Sequence, residues 1–124
     1  MQMISYINMS SNLLKQIPNS LFTLANLKFL DISNNKIGSD GTGCLSEAIA
    51  SATALVELRA SSNMIQMLPE SIGELRNLEV LDLRDNRIQS LPVRFGLLKK
   101  LLKLNLDQNQ LKEIGLEFSN LKTL

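Results

Sequence analysis

The chain has 124 residues, and its 13 lysine and arginine residues nearly balance its 12 aspartate and glutamate residues. This length suits one domain, and a net charge of +1 gives no global attraction to nucleic acid or anionic lipid. No apolar run approaches the roughly 20 residues that a membrane helix requires. The sequence has no histidine and a single cysteine, which excludes imidazole catalysis and an internal disulfide.

A pattern of aliphatic residues recurs along the chain. Its most regular copy, residues 78–100, reads L-x-x-L-x-L-x-x-N-x-I-x-x-L-P. Position 1 of the pattern recurs at spacings of 23, 28, 23, 23 and 23 residues, as Ile4, Leu27, Leu55, Leu78, Leu101 and Leu124. These residues define five repeats, 4–26, 27–54, 55–77, 78–100 and 101–123, and a sixth begins at residue 124. Such periodicity predicts one structural unit per repeat.

Other positions of the repeat agree equally well. Position 9 is asparagine in every repeat, as Asn12, Asn35, Asn63, Asn86 and Asn109. An aliphatic position 14 is followed by proline in three of the four 23-residue repeats, with Gly115 as the exception. This pattern resembles the leucine-rich repeat family, in its intracellular 23-residue class, over nearly the whole chain. The resemblance implies an α/β horseshoe solenoid with a parallel β-sheet on the concave side and short 3₁₀ or extended segments on the convex side.

The residues support such an architecture independently. Positions 3 to 7 alternate, as in residues 80–84, which is typical of a short strand with one buried face. One repeat buries too few aliphatic side chains to offset its own ordering entropy, so the repeats must stack. We interpret the position-9 asparagines as a structural ladder, because an amide can satisfy backbone groups where the chain leaves the strand. A polar binding row is the alternative.

The second repeat is five residues longer than the others. Its convex part carries apolar residues at helical spacing, namely Leu45, Ala48, Ile49 and Ala52. This spacing predicts one longer convex helix at about 42–52, with Ser39 or Asp40 as its N-cap. The repeat thereby resembles the ribonuclease-inhibitor-like class of the same family, and we expect a local increase in curvature here.

The turn before this predicted helix contains three glycines and the only cysteine. Gly38, Gly41 and Gly43 are not followed by the Gly-Lys-Ser/Thr of a phosphate-binding loop, so we interpret them as turn residues. Cys44 has no histidine to activate it, which favours a small packed residue over a nucleophile.

Binding in such a fold depends on the outward residues of the concave sheet, because the inward residues are committed to packing. These outward residues occupy positions 3, 5, 7 and 8 of each repeat. We predict that a partner contacts Tyr6, Asn8, Phe29, Asp31, Glu57, Arg59, Val80, Asp82, Arg84, Asp85, Lys103, Asn105 and Asp107.

Two features of this surface allow alternative interpretations. Tyr6 and Phe29 place adjacent aromatic rings on a polar surface, where they are either an interface anchor or a cover for the open edge of the sheet. Arg59 lies between Asp31 and Asp82 across the strands, and Arg84 has acidic neighbours as well. These opposite charges either pair across strands or exchange their pairs for those of a partner.

A basic flank runs along the later repeats. Position 22 carries Arg76, Lys99 and Lys122, and Lys100 is adjacent. The flank is either solvated or a surface for an acidic protein, a phosphorylated segment or nucleic acid. Nucleic acid is the weakest of these, because no aromatic residue is interleaved for base stacking.

Catalysis has little to draw on, since no nucleophile motif or metal-ligand cluster is present. We therefore expect a cytoplasmic, non-catalytic scaffold for protein binding in intracellular signalling, with no cofactor, no nucleic-acid partner and no membrane association. The alternatives are a sensing or targeting segment of a larger enzyme, such as a kinase, cyclase or ligase, and a structural module that self-associates through uncapped ends. Because a sixth repeat begins at Leu124, we expect the chain to be part of a longer solenoid.

Overall fold

Strands and 3₁₀ helices alternate along the chain in the computed structural model, which describes residues 4–111. The strands in this range are β1 (Tyr6–Asn8), β2 (Phe29–Asp31), β3 (Glu57–Arg59), β4 (Val80–Asp82) and β5 (Lys103–Asn105). The 3₁₀ helices are η1 (Asn19–Thr23), η2 (Glu47–Ser51), η3 (Glu70–Glu74) and η4 (Val93–Leu97). Each repeat contributes one strand, and each of the first four also contributes one helix.

The strands form one parallel sheet in chain order, β1-β2-β3-β4-β5. Equivalent repeat positions lie in register, so that Leu30 pairs with Leu58 and Leu58 pairs with Leu81. The strands cover positions 3 to 5 rather than the predicted 3 to 7. They end early because the chain turns at position 8, where every described repeat has a residue with φ between 55° and 60°. These residues are Ser11, Asn34, Ser62, Asp85 and Gln108.

The core lies between the sheet and the 3₁₀ helices. Position 4 is fully buried in the central strands, as Leu30, Leu58 and Leu81. In the first convex segment Phe22 is fully buried, whereas Leu21 and Leu24 are half-buried. The corresponding position in η3 is Gly73, where an added Cβ would lie 2.5 Å from the carbonyl oxygen of Arg94. Stacked helices therefore approach too closely there for a side chain.

The asparagine row, defined as Asn12, Asn35, Asn63, Asn86 and Asn109, is a hydrogen-bonded ladder. In its central member, Asn63, Nδ2 donates to the carbonyl oxygens of Ile32 and Ala60 at 3.0 and 3.1 Å. Its Oδ1 accepts the N–H of Ile37 at 3.0 Å. The amides of Asn35, Asn63, Asn86 and Asn109 each join their own repeat to the preceding one, which confirms the structural interpretation of the row, whereas Asn12 bonds only within repeat one.

Proline begins the convex helix in three repeats. Pro18, Pro69 and Pro92 are the N-cap residues of η1, η3 and η4. A residue without an N–H is tolerated at this point, because the first N–H groups of a helix have no intrahelical acceptor.

The prediction of one longer convex helix at about 42–52 is wrong. Repeat two has only η2, a 3₁₀ helix of five residues like those of the other repeats. Its N-cap is Ser46, whose Oγ accepts the N–H of Ala48 at 3.1 Å, and not Ser39 or Asp40. The resemblance to the ribonuclease-inhibitor-like class and the expected increase in curvature were both based on that helix. Without the helix, neither is supported.

The five additional residues lie in the turn before η2. Ile37 precedes Glu47 by 10 residues, whereas the corresponding Ile88 precedes Val93 by 5. Within the turn, Gly38, Gly41 and Gly43 have φ values of 100°, 103° and 65°, which a right-handed helix does not allow. The insertion therefore forms a loop, and the convex segment keeps its usual length.

Candidate protein-binding surface

The outward face of the sheet displays the residues that the sequence predicts as binding residues, and none of them is buried. Seven are exposed: Tyr6, Asn8, Arg59, Arg84, Asp85, Lys103 and Asp107. Six are half-buried: Phe29, Asp31, Glu57, Val80, Asp82 and Asn105. The strand register aligns them in columns, with Glu57 opposite Val80 and Val80 opposite Lys103. One side of the sheet therefore offers a continuous mixed surface.

The two aromatic rings on this surface are stacked on each other. The centroids of Tyr6 and Phe29 lie 4.4 Å apart, and the ring planes differ by 4°. This confirms the predicted adjacency, which follows from their direct pairing across β1 and β2. Tyr6 remains 60% exposed, so its outer side is available to a further apolar group.

The position-5 column has a structural role that sequence reasoning missed. Asn8, Asp31, Asp82 and Asn105 each use Oδ1 to accept the N–H of the residue two positions later, at 2.9–3.1 Å. Such bonds stabilise the turn that ends each strand. The recurrence of Asx at position 5 in four of five repeats is the signal that could have shown it. These four side chains serve the fold as well as any partner.

Arg59 interrupts the position-5 column and has a different interaction. Its Nε donates a short hydrogen bond to Oε2 of Glu57 in the same strand. The hydrogen bond to Glu57, together with the charges of Glu57, Asp82 and Asp31, raises the pKa of Arg59. The aspartates lie opposite Arg59 as predicted, but within residues 4–111 the predicted cross-strand ion pairs do not form. Arg59 pairs within its own strand instead.

Arg84 is differently placed. It is exposed, and no carboxylate of the described residues lies within 4.0 Å of its guanidinium group. Its neighbour Asp85 is constrained, since it has a φ of 58° and its Oδ2 accepts a hydrogen bond from Ser62 Oγ at 3.1 Å. On binding an external carboxylate, Arg59 would have to break its ion pair with Glu57, whereas Arg84 has no ion pair to break within residues 4–111.

The basic flank is a separate surface beside the turns that lead into the strands. Arg76, Lys99 and Lys100 line a depression of about 410 Å³ together with Leu97 and Glu74. The fourth predicted member, Lys122, lies outside the described residues.

Comparison with known proteins identifies the family. The family model described as "Leucine-rich repeat region" matches residues 41–124, about two thirds of the chain. The chain belongs to the leucine-rich repeat family. A second model, described as "Leucine Rich repeat", matches residues 23–46. No curated protein gives a significant match.

Several solved structures are similar to the chain. A leucine-rich repeat protein from Leptospira interrogans is 36% identical, with a TM-score of 0.90 and a match covering 98% of this chain and 30% of that one. A plant peptide hormone receptor, solved in complex with RGF2, is 25% identical, with a TM-score of 0.83 and coverages of 98% and 20%. An internalin from Listeria monocytogenes is 23% identical, with a TM-score of 0.81 and coverages of 98% and 33%.

Membership in this family bears on function. The chain spans about a third or less of the length of these three proteins. Leucine-rich repeat proteins generally mediate protein–protein binding and are typically non-catalytic modules. In residues 4–111 no cluster of histidine, cysteine, aspartate and glutamate side chains could hold a metal ion. In the same residues, no helix is both long and apolar enough to cross a membrane.

Cys44, the one cysteine of this leucine-rich repeat chain, is not set up as a nucleophile. Its Sγ donates to the carbonyl oxygen of Leu45 at 3.0 Å. Burial raises the pKa of the Cys44 thiol, and the carboxylates of Glu47 and Asp40 raise it further. The thiolate that nucleophilic chemistry requires is therefore disfavoured.

Proposed function

We propose that the chain is a scaffold whose concave sheet binds an extended segment of a protein partner. The observation that carries this proposal is the stacked Tyr6–Phe29 pair, in which Tyr6 is 60% exposed on the outward face of the sheet. Large exposed rings bury much surface at little entropic cost, and they are enriched among the residues that dominate binding energy.

Arg84 provides the second contact in this proposal. It lies just after β4, on the same face as the aromatic pair, and in residues 4–111 no carboxylate is near its guanidinium group. Tyr6 is in register with Val80, three strands away at about 4.8 Å per strand, and Arg84 lies four residues beyond Val80, about 13 Å along the strand direction. The diagonal from Tyr6 to Arg84 is therefore on the order of 20 Å. An extended peptide rises about 3.3 Å per residue, so about six residues would connect an apolar side chain on Tyr6 with a carboxylate at Arg84.

The family supports this kind of partner. The plant receptor that is 25% identical to the chain was solved in complex with RGF2. We infer the same general mode for this chain, namely protein or peptide binding by the repeat scaffold. Tyr6 and Phe29 favour an apolar side chain in the partner, and Arg84 favours a carboxylate.

A cytoplasmic location and a role in intracellular signalling are further parts of the proposal. They are supported by the 23-residue repeat pattern and by the single cysteine, since disulfide-stabilised proteins carry cysteines in pairs. Cell fractionation with an antibody against the native protein tests the location. Recovery outside the cytoplasm would remove this part and leave the binding proposal intact.

Affinity capture with quantitative mass spectrometry tests the binding surface. The wild-type chain is compared with Arg59→Glu/Arg84→Glu and with Tyr6→Ala. Arg87→Glu is the matched control, because Arg87 is exposed and lies beyond the strand and its turn. We expect specific proteins to be enriched by the wild type and by Arg87→Glu and to be lost from the other two variants. Equal capture by all four chains, with unchanged circular dichroism, would contradict the concave-face proposal.

A further inference from the structure

A groove crosses the basic flank at the turns that connect the convex helices to the strands. One part of it, about 410 Å³, is lined by Gly73, Glu74, Arg76, Leu97, Lys99 and Lys100. A second depression of about 340 Å³ shares Glu74 and Arg76 and extends to Thr53 and Ala54. The groove therefore runs across repeats two, three and four, away from the concave face.

The charges in the groove are unequal. Among residues 4–111, the basic side chains of Arg76, Lys99 and Lys100 line the groove together with one carboxylate, that of Glu74. That carboxylate lies 3.9 Å from Nη1 of Arg94 on the next helix, so it is already partly neutralised. Arg76 and Lys100 alone therefore exceed the charge of Glu74 in this groove, although the whole chain is nearly neutral.

One of these cations is held in position. Nδ2 of Asn77 donates to the carbonyl oxygen of Thr53 at 3.0 Å, and Oδ1 of the same amide accepts from Nζ of Lys100 at 3.0 Å. Asn77 thus links three successive repeats and fixes the Lys100 ammonium beside the groove. Preorganising a charged group lowers the entropy lost when an anion binds.

The groove also contains an apolar contact. Leu97 is 49% exposed at the end of η4, whereas the corresponding residue of η3 is the polar Glu74. Leu97 lines the groove together with Arg76 and Lys100. The groove therefore offers both an apolar and an electrostatic contact.

We propose that this groove is a second interaction surface, which binds an acidic peptide segment whose central apolar side chain packs on Leu97. Its carboxylates pair with Arg76 and Lys100. Among the residues that the structure describes, no aromatic side chain lines either depression, so this part of the groove lacks the stacking platform typical of single-stranded nucleic acid sites. The surface is independent of the concave face and of the function proposed for it.

Nuclear magnetic resonance titration of the full chain with three blocked peptides tests the proposal. The first peptide is Glu-Glu-Leu-Glu-Glu, the second replaces its leucine by serine, and the third replaces its glutamates by glutamine. We expect the first to shift the amide signals of Arg76, Leu97, Lys99 and Lys100. Loss of the leucine should weaken binding about tenfold, since it removes one buried aliphatic side chain. Loss of the glutamates should abolish binding.

Protein variants complete the test. Arg76→Glu and Leu97→Ser change exposed side chains, and each should weaken the first peptide about tenfold with unchanged circular dichroism. Lys36→Glu, the same charge change at an exposed site outside the groove, and Tyr6→Ala should both leave its binding unaltered.

Three results would overturn the proposal. The serine peptide binding as tightly as the leucine peptide, or Lys36→Glu weakening binding as much as Arg76→Glu, would indicate only general charge attraction. Binding of single-stranded DNA or phosphatidylserine vesicles in preference to the peptide, with loss in Arg76→Glu, would assign the groove to another class of ligand.

Discussion

The asparagine row and the outward face of the sheet belong to the same short segments, yet they use polar groups in opposite ways. Asn63 is buried, and both its Nδ2 and its Oδ1 bond to the backbone of its own and the preceding repeat. Arg84, two residues after β4, is exposed and has no carboxylate within 4.0 Å in residues 4–111. The residues that stabilise the fold and the residues proposed to bind a partner therefore occupy different positions within each repeat, although they are adjacent in sequence.

Substituting the centre of the asparagine row should have the largest effect on stability. Asn63→Ala leaves the buried N–H of Ile37 without its acceptor and opens a small cavity, so we expect a loss of about 3–4 kcal/mol in the free energy of unfolding. Urea denaturation monitored by circular dichroism measures it. Asn12→Ala is the matched control, because the bonds of Asn12 are solvent-exposed, and it should cost about 1 kcal/mol or less. Equal losses of stability for the two variants would mean that burial does not make the bonds of Asn63 more stabilising than those of Asn12.

Substitutions in the turn of repeat two show how much stability depends on the close approach of this turn to the backbone next to Asn63. Gly38 has a φ of 100°, and an added Cβ would lie 2.4 Å from the carbonyl oxygen of Met64, the residue after Asn63. We expect Gly38→Ala to cost about 2–3 kcal/mol in the same denaturation experiment. Gly41 has a similar φ of 103° but nothing within 4 Å, so Gly41→Ala should cost about 1 kcal/mol. Similar values for both would show that strain alone, without the contact, sets the cost.

The position-5 column combines features of both regions, because its side chains face outward and also hydrogen-bond to the backbone. Asp82 faces outward, but its Oδ1 accepts the N–H of Arg84 at 3.1 Å. Asp82→Ala should therefore lower the free energy of unfolding by about 1 kcal/mol, the value of one partly exposed hydrogen bond. Asp82→Asn keeps an acceptor and should be nearly neutral. If Asp82→Asn is as destabilising as Asp82→Ala, the carboxylate charge matters and the turn bond does not.

Much of this separation was predictable from the sequence. Periodicity located each strand of residues 4–111, because a column of leucines at position 4 can be buried only if the strands stack in register. The asparagine ladder and the adjacency of Tyr6 and Phe29 followed from the same alignment, since equivalent positions become neighbours. These features depend only on which repeat positions align.

The features that were not predicted depend on local backbone geometry. The apolar spacing after Gly43 predicted a longer helix. The inserted residues instead form a loop, because the glycines in this turn have positive φ values. Once those residues are set aside, Leu45-Ser46 aligns with Leu68-Pro69, and this alignment could have revealed the short η2. The ion pair of Arg59 with Glu57 depends on side-chain rotamers, which strand spacing does not determine.

The most direct test of the separation uses two arginines three residues apart. For the protein most enriched in the capture experiment, titration calorimetry would compare wild type, Arg84→Glu and Arg87→Glu, with thermal unfolding measured in parallel. We predict that Arg84→Glu weakens binding by about tenfold or more, that Arg87→Glu does not, and that both unfold at the wild-type temperature. Equal affinities for the two variants, or a loss of binding explained by a lower unfolding temperature in Arg84→Glu, would contradict the assignment of recognition to the outward face of the sheet.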